Sequence, residues 1–168
     1  MGKRKRKKEE APPVEQFGDK LVARNRRASF NYELSERFEA GMVLVGSEVK
    51  VLRQTAADLT EAYCAVRRNE VWLLGLNIPE LQGTAWGHQP KRPRKLLLHR
   101  HEIEQIQRAV DRQGMTAVAT RLYFRGGRAK IEIALARGKR QADKRQTIKE
   151  REANREAQAA IARGRDER

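Results

Sequence analysis

Tyr32, Leu34 and Phe38 fall at even positions of YELSERFE, the period of a half-buried strand, and AGMVLVG carries a β-branched run on past Gly41. GSEVKVLRQ sets Val49 and Leu52 three apart with Glu48 and Lys50 polar. That fits one or two helical turns entered through Ser47 as N-cap, but strand spacing fits nearly as well, and both stay open. In EAYCAVRRNEVWLLGLNI, apolar runs at Ala62–Val66 and Val71–Leu74 flank the polar RRNE and predict a hairpin. Cys64 reads there as a buried thiol, and Trp72, between Val71 and Leu73, as a core side chain. PELQGTAWGHQPKRPRK, broken by Pro79, Gly83, Gly87, Pro90 and Pro93, predicts a loop. HRHEIEQIQRAVDRQG predicts a helix with Ile103, Ile106 and Val110 on one face. His99 stands where its N-cap is needed, Glu102 is the N3 partner, and Gly114 is the stop. MTAVATRLYF and RAKIEIALA flank Gly126-Gly127, a two-residue turn that needs positive φ.

Short strands with turn signals, and one helix inserted between them, predict a mainly β chain. An OB-like antiparallel barrel of five or six strands, with inserted helices and disordered basic tails, accounts for the pattern. The boundaries read as a basic N-terminal tail over 1–20, a barrel over 21–136 and a basic C-terminal tail over 137–168. Aromatic residues run from Phe17 to Phe124 and none follows. Beyond Lys139 the apolar residues are chiefly Ala, and the isoleucines, Ile148 and Ile161, lie thirteen apart. No continuous apolar stripe forms, although Ala, Glu, Gln, Lys and Arg all favour helix. A segment of this kind is expected to be disordered when free and helical against a negatively charged groove; a solvated solubility tail has the same composition.

Charge turns this outline toward a partner. The 168 residues hold 37 Lys and Arg against 22 Asp and Glu, a net +15. Such an excess calls for a polyanion, nucleic acid first and an acidic membrane surface second. KRKRKK near the N-terminus and KRPRK (Lys91 to Lys95) concentrate it, so Arg92, Arg94 and Lys95 are candidate phosphate contacts, with Trp86 a candidate for base stacking. No apolar run approaches the ~20 residues of a membrane span, and no secretion signal follows the basic start, so a cytoplasmic, monomeric chain without a membrane role is expected. One cysteine allows no internal disulfide. His99 and His101, two apart, lack metal-ligand spacing on a helix, and no phosphate-binding glycine loop occurs. Neither cofactor nor catalysis is expected.

Five stretches in order resemble the SsrA-binding protein (SmpB) family: NRRA (Asn25–Ala28), FEAGMVLVGSEVKVLR (Phe38–Arg53), RPRKLLLHRHEI (Arg92–Ile103), LYF (Leu122–Phe124) and GKRQADKR (Gly138–Arg145). The resemblance spans about Asn25 to Arg151. It implies a ribosome-rescue factor with no chemistry of its own. Such a factor binds the tRNA-like part of transfer-messenger RNA and carries it to stalled ribosomes for trans-translation, with elongation factor Tu in the delivery complex. It implies further that Glu39, Leu97, His99 and Lys130 belong to the RNA-binding surface, with Asn25, Arg26, Lys50 and Arg53 bordering it. Gly138 would be the hinge to a tail whose Lys139, Arg140, Asp143, Lys144 and Arg145 meet the decoding region and empty mRNA channel. Ala142 departs from the family pattern, where histidine or an aromatic residue often precedes DKR. The general alternative is an OB-fold RNA chaperone.

Overall fold

The computed structural model describes residues 20–80 and 87–166, without the side chains of 141, 142, 144 and 159 onward. The N-terminal basic tail and Trp86 thus lie outside the described residues. Along the chain run β1 (Lys20–Arg24), α1 (Arg26–Asn31), β2 (Tyr32–Met42), α2 (Gly46–Gln54), β3 (Tyr63–Arg67) and β4 (Glu70–Leu74), followed by β5 (Arg94–Leu97), α3 (Arg100–Gln113), β6 (Thr116–Arg125), β7 (Arg128–Gly138) and α4 (Gln141–Asp166).

All pairings are antiparallel, in the order β1-β6-β3-β4-β5-β2-β7. The further pairing of β6 with β7 closes six of these strands into a ring, the OB-like barrel expected. β1 shares one edge of β6 with β3, pairing Lys20–Arg24 against Phe124–Arg121 while β3 takes Ala117 and Val118. Alternation fills the interior: Phe38, Ala40, Leu73, Leu96, Leu122, Ile131 and Ile133 are buried, and Leu52 of α2 and Ile106 of α3 plug the ring.

Local chemistry explains most of the elements. Gly126 and Gly127 take φ of 55° and 75° between β6 and β7, and Arg68 and Asn69 make the equivalent left-handed turn between β3 and β4. α3 starts where Glu102 Oε2 accepts the His99 N–H at 2.8 Å and stops at Gly114, φ 59°. α2 is a helix, but its N-cap is Val45 rather than Ser47, because Glu48 Oε2 accepts the Val45 N–H at 3.0 Å. Cys64 is buried, and burial pushes its thiol up to about 12, which leaves it unreactive. Trp72 is a correction: Val71 and Leu73 point inward, so Trp72 faces outward, half-buried, opposite Lys95.

β7 reaches past the expected boundary at Ala136: Arg137 and Gly138 pair with Glu33 and Tyr32, and the Lys139 N–H donates to Asn31 O at 3.0 Å. α4 then continues as one helix of 26 residues. Its described side chains are exposed except Thr147, half-buried, and Arg151 stands 5.4 Å over the Phe30 ring. Helix propensity, rather than burial, accounts for it.

Candidate nucleic-acid interface

Parity along the strands decides what the barrel shows outward. With Phe38 and Ala40 inside, β2 presents Glu39 and Gly41; with Ile131 inside, β7 presents Lys130; with Leu96 inside, β5 presents Lys95 and Leu97. His99 follows β5 directly and opens α3. Glu39, Lys95, Leu97, His99 and Lys130 therefore line one open groove of about 440 Å³, whose other walls include Asn69, Glu70 and Glu102. Five of the predicted RNA-binding residues, 91 positions apart at the extremes of Glu39 and Lys130, meet there.

Glu39 is the electrostatic centre. Arg125 Nη1 lies 2.7 Å from its Oε2, Lys130 Nζ 3.5 Å from its Oε1, and the Tyr123 hydroxyl donates to it. Burial alone would raise its carboxyl, but the Tyr123 hydroxyl, Arg125 and Lys130 outweigh that and hold it below the ordinary carboxylate value. Tyr123 is pushed the other way, by burial and then by Glu39, so it remains a donor. The Arg125 guanidinium also lies 5.4 Å over the Tyr123 ring. Next to this cluster sits Leu97, an apolar side chain 55% exposed. His99 is exposed too, and its ring stacks on that of His101, centroids 5.7 Å apart. Such a surface offers cations to phosphate, carboxylate oxygens to hydroxyls, and flat or apolar faces to sugar or base.

The other predicted residues fall elsewhere. Arg94 is a correction: it is wholly buried, and cannot reach phosphate. Its Nε donates to Glu48 Oε1 at 2.9 Å, and its two Nη atoms to Leu76 O at 2.6 Å and Pro90 O at 2.9 Å. Arg92 is bound to the same carboxylate, Nε to Oε1 at 2.9 Å. Lys95 pairs with Glu70 at the groove edge. KRPRK is thus largely tied into the fold. Asn25 is half-buried and fully engaged: its amide donates to Leu59 O at 2.8 Å and Ala119 O at 3.1 Å, and its Oδ1 accepts the Ala28 N–H at 3.0 Å as the N-cap of α1. Arg26, Lys50 and Arg53 are exposed and outside the groove, Arg53 lying 5.9 Å over Phe124. In the tail, Gly138 ends β7, Lys139 Nζ donates to Ser29 O at 3.2 Å, and Asp143 Oδ2 accepts the Arg140 N–H at 3.2 Å. Arg145 is exposed; the side chain of Lys144 lies outside the described set.

Glu48, Tyr123 and Arg125 were missed from the sequence. A signal existed for the last two: Leu122 and Phe124 point inward, so their alternate neighbours must face out beside Lys130.

A family model described as SmpB protein matches residues 22–163. A relative named SsrA-binding protein from Sorangium cellulosum is 59% identical, covering 94% of both chains. One of the same name from Thermobifida fusca is 51% identical over 88% of this chain and 93% of its own. Among solved structures, a chain from "tmRNA-SmpB: a journey to the center of the bacterial ribosome" superposes with a TM-score of 0.62 at 40% identity, covering 76% of this chain and 94% of that one.

Proposed function

The chain belongs to the SmpB family, and from that premise we propose that it binds the tRNA-like part of transfer-messenger RNA and delivers it to stalled ribosomes. It is an RNA-binding protein and not an enzyme, working where ribosomes are, in the cytoplasm. The observation that carries this reading is the groove itself. Residues from β2, β5, β7 and the start of α3 converge on one outer face, in a chain of net +15. Among the described residues no helix is long and apolar enough to cross a membrane.

The barrel supplies grip and α4 supplies reach. α4 leaves the ring at Gly138 and is about 39 Å long at 1.5 Å per residue. In this reading Arg140, Lys144 and Arg145 near its start meet ribosomal RNA at the decoding region, and the rest follows the empty mRNA channel.

The test is competition at one stated salt concentration between the tRNA-like RNA and an unstructured strand of equal length, because charge alone makes every RNA attractive at low salt. Strong preference for the folded RNA is expected. Equal affinity would favour a general OB-fold chaperone. Lys130→Ala is expected to weaken binding by about 1 kcal/mol or somewhat more, and to lower the salt dependence by about one released counterion. Unchanged affinity and slope would remove Lys130 from the interface.

A further inference from the structure

Strand register places five outward residues in one row across the sheet: Leu97 of β5, Gly41 of β2, Lys130 of β7, Tyr123 of β6 and Leu21 of β1. At a strand spacing of about 4.8 Å the row is roughly 19 Å wide. Four of its members carry large side chains; the second does not.

Nothing in the fold asks for glycine there. Gly41 is not in the left-handed region. The three atoms nearest to a Cβ added there all belong to the Leu97 side chain, at 3.4 to 3.9 Å, an ordinary contact. Glycine inside a strand weakens the strand and marks a place where something approaches the backbone closely. With no side chain, Gly41 is the low point of the row, a shallow dent that the Leu97 side chain lies against, with Lys130 on its other side and Glu39 two residues along β2 on the same face. Leu97 offers an apolar wall, Glu39 offers carboxylate oxygens, and Lys130 and Arg125 already converge on that carboxylate.

We propose that Gly41 is an RNA-contacting position and that the dent seats one ribose of the bound RNA. The C–H face of the sugar packs on Leu97 and the bare Gly41 backbone, its hydroxyls face Glu39, and its flanking phosphates face Lys130 and Arg125. A base would fit the face less well, because no aromatic face stands on either side of Gly41 in the row; Tyr123 is two strands away and is held by Glu39 and Arg125. This rests on the RNA-binding reading above and names the residue and the part of the nucleotide it accepts.

Gly41→Ala and Gly41→Val test it against the tRNA-like RNA. Affinity is expected to fall several-fold for alanine and about tenfold or more for valine, the scale of one lost contact. Thermal stability should hold or rise, since valine suits a strand better than glycine does. The salt dependence should stay that of the wild type, unlike Lys130→Ala, because no charge is removed. Hydroxyl-radical footprinting should show a ribose protected by the wild-type protein becoming exposed with Gly41→Val while other protections persist. Wild-type affinity in Gly41→Ala together with an unchanged footprint would overturn the seat, and so would a loss for valine that merely tracks lost stability. If the wild-type protein shows no preference for the tRNA-like RNA, the functional reading fails first.

Discussion

Replacing Glu48 by alanine is expected to cost about 3–5 kcal/mol of folding stability, the scale for leaving a buried charge without its partner. Urea unfolding of the two proteins measures it. Glu48 and Arg94 are each fully buried, 0% exposed, and Arg92 closes the carboxylate from the rim. Without Glu48, Arg94 would keep its bonds to the carbonyls of Leu76, Pro90 and Arg92 but would have no counter-charge among the described residues. Replacing both Glu48 and Arg94 by methionine should cost far less than Glu48→Ala, since no ion is then stranded. The ion pair also ties α2 to β5, and so holds the strand that presents Lys95 and Leu97.

The same residue makes stability depend on pH. Burial would raise the Glu48 carboxyl, but Arg92, the Val45 N–H and Arg94 overcome it, so its folded value lies below the ordinary 4.5. A lowered carboxylate contributes stability above about 4.5 and loses it as pH falls through the folded value. The gap between wild type and Glu48→Ala should therefore narrow in acid. A constant gap from pH 7 to pH 3 would show that the charge is not what Glu48 contributes.

How much of the fold could be read beforehand depended on whether one residue's surroundings were local. The helix at 100–113 was legible because Ile103, Ile106 and Val110 mark one face and Gly114 ends it. The β6–β7 hairpin was legible in Gly126-Gly127. β5 was not, because Arg94 occupies an inward position, so the alternation of a strand reads instead as part of a basic loop. Its partner in that burial, Glu48, is 46 residues away. β1 and α1 were hidden by length: five and six residues carry too little periodicity, and α1 depends on Asn25, whose partners Leu59 and Ala119 are remote. Residue type favours Ser47 as the α2 cap, whereas the carboxylate of Glu48 caps from inside the helix.

For the candidate site, the family resemblance named Glu39, Leu97, His99 and Lys130, and the strand parities then brought them to one groove with Lys95. Composition could not separate cations free to meet phosphate from cations spent inside the fold. Arg94 and Lys130 are both basic residues in β-rich stretches; one is sealed against Glu48 and the other lines the groove. Tyr123 and Arg125 lie 84 and 86 residues from Glu39, so only the register of β2, β7 and β6 could place them around it.

A protein ending after Arg140 is expected to keep its barrel and nearly all of its affinity for the tRNA-like RNA, while peptide tagging on stalled ribosomes falls to background. The cut must spare Lys139, since β7 pairs through Gly138 and the Lys139 N–H still bonds to Asn31. What it removes touches the ring lightly: the described side chains of α4 are exposed apart from Thr147, and the Arg151–Phe30 contact is an exposed-site cation–π pair of about 0.5–1 kcal/mol. Among the described residues, the groove that gathers Glu39, Leu97, His99 and Lys130 includes none beyond Lys130. On the function proposed, RNA grip belongs to the barrel and ribosomal engagement to α4, and only the second should be lost. Filter binding and a tagging assay on the same preparation separate them. Loss of both to the same degree would mean that α4 is part of the RNA-binding body, and full tagging without it would leave its basic residues no role in rescue.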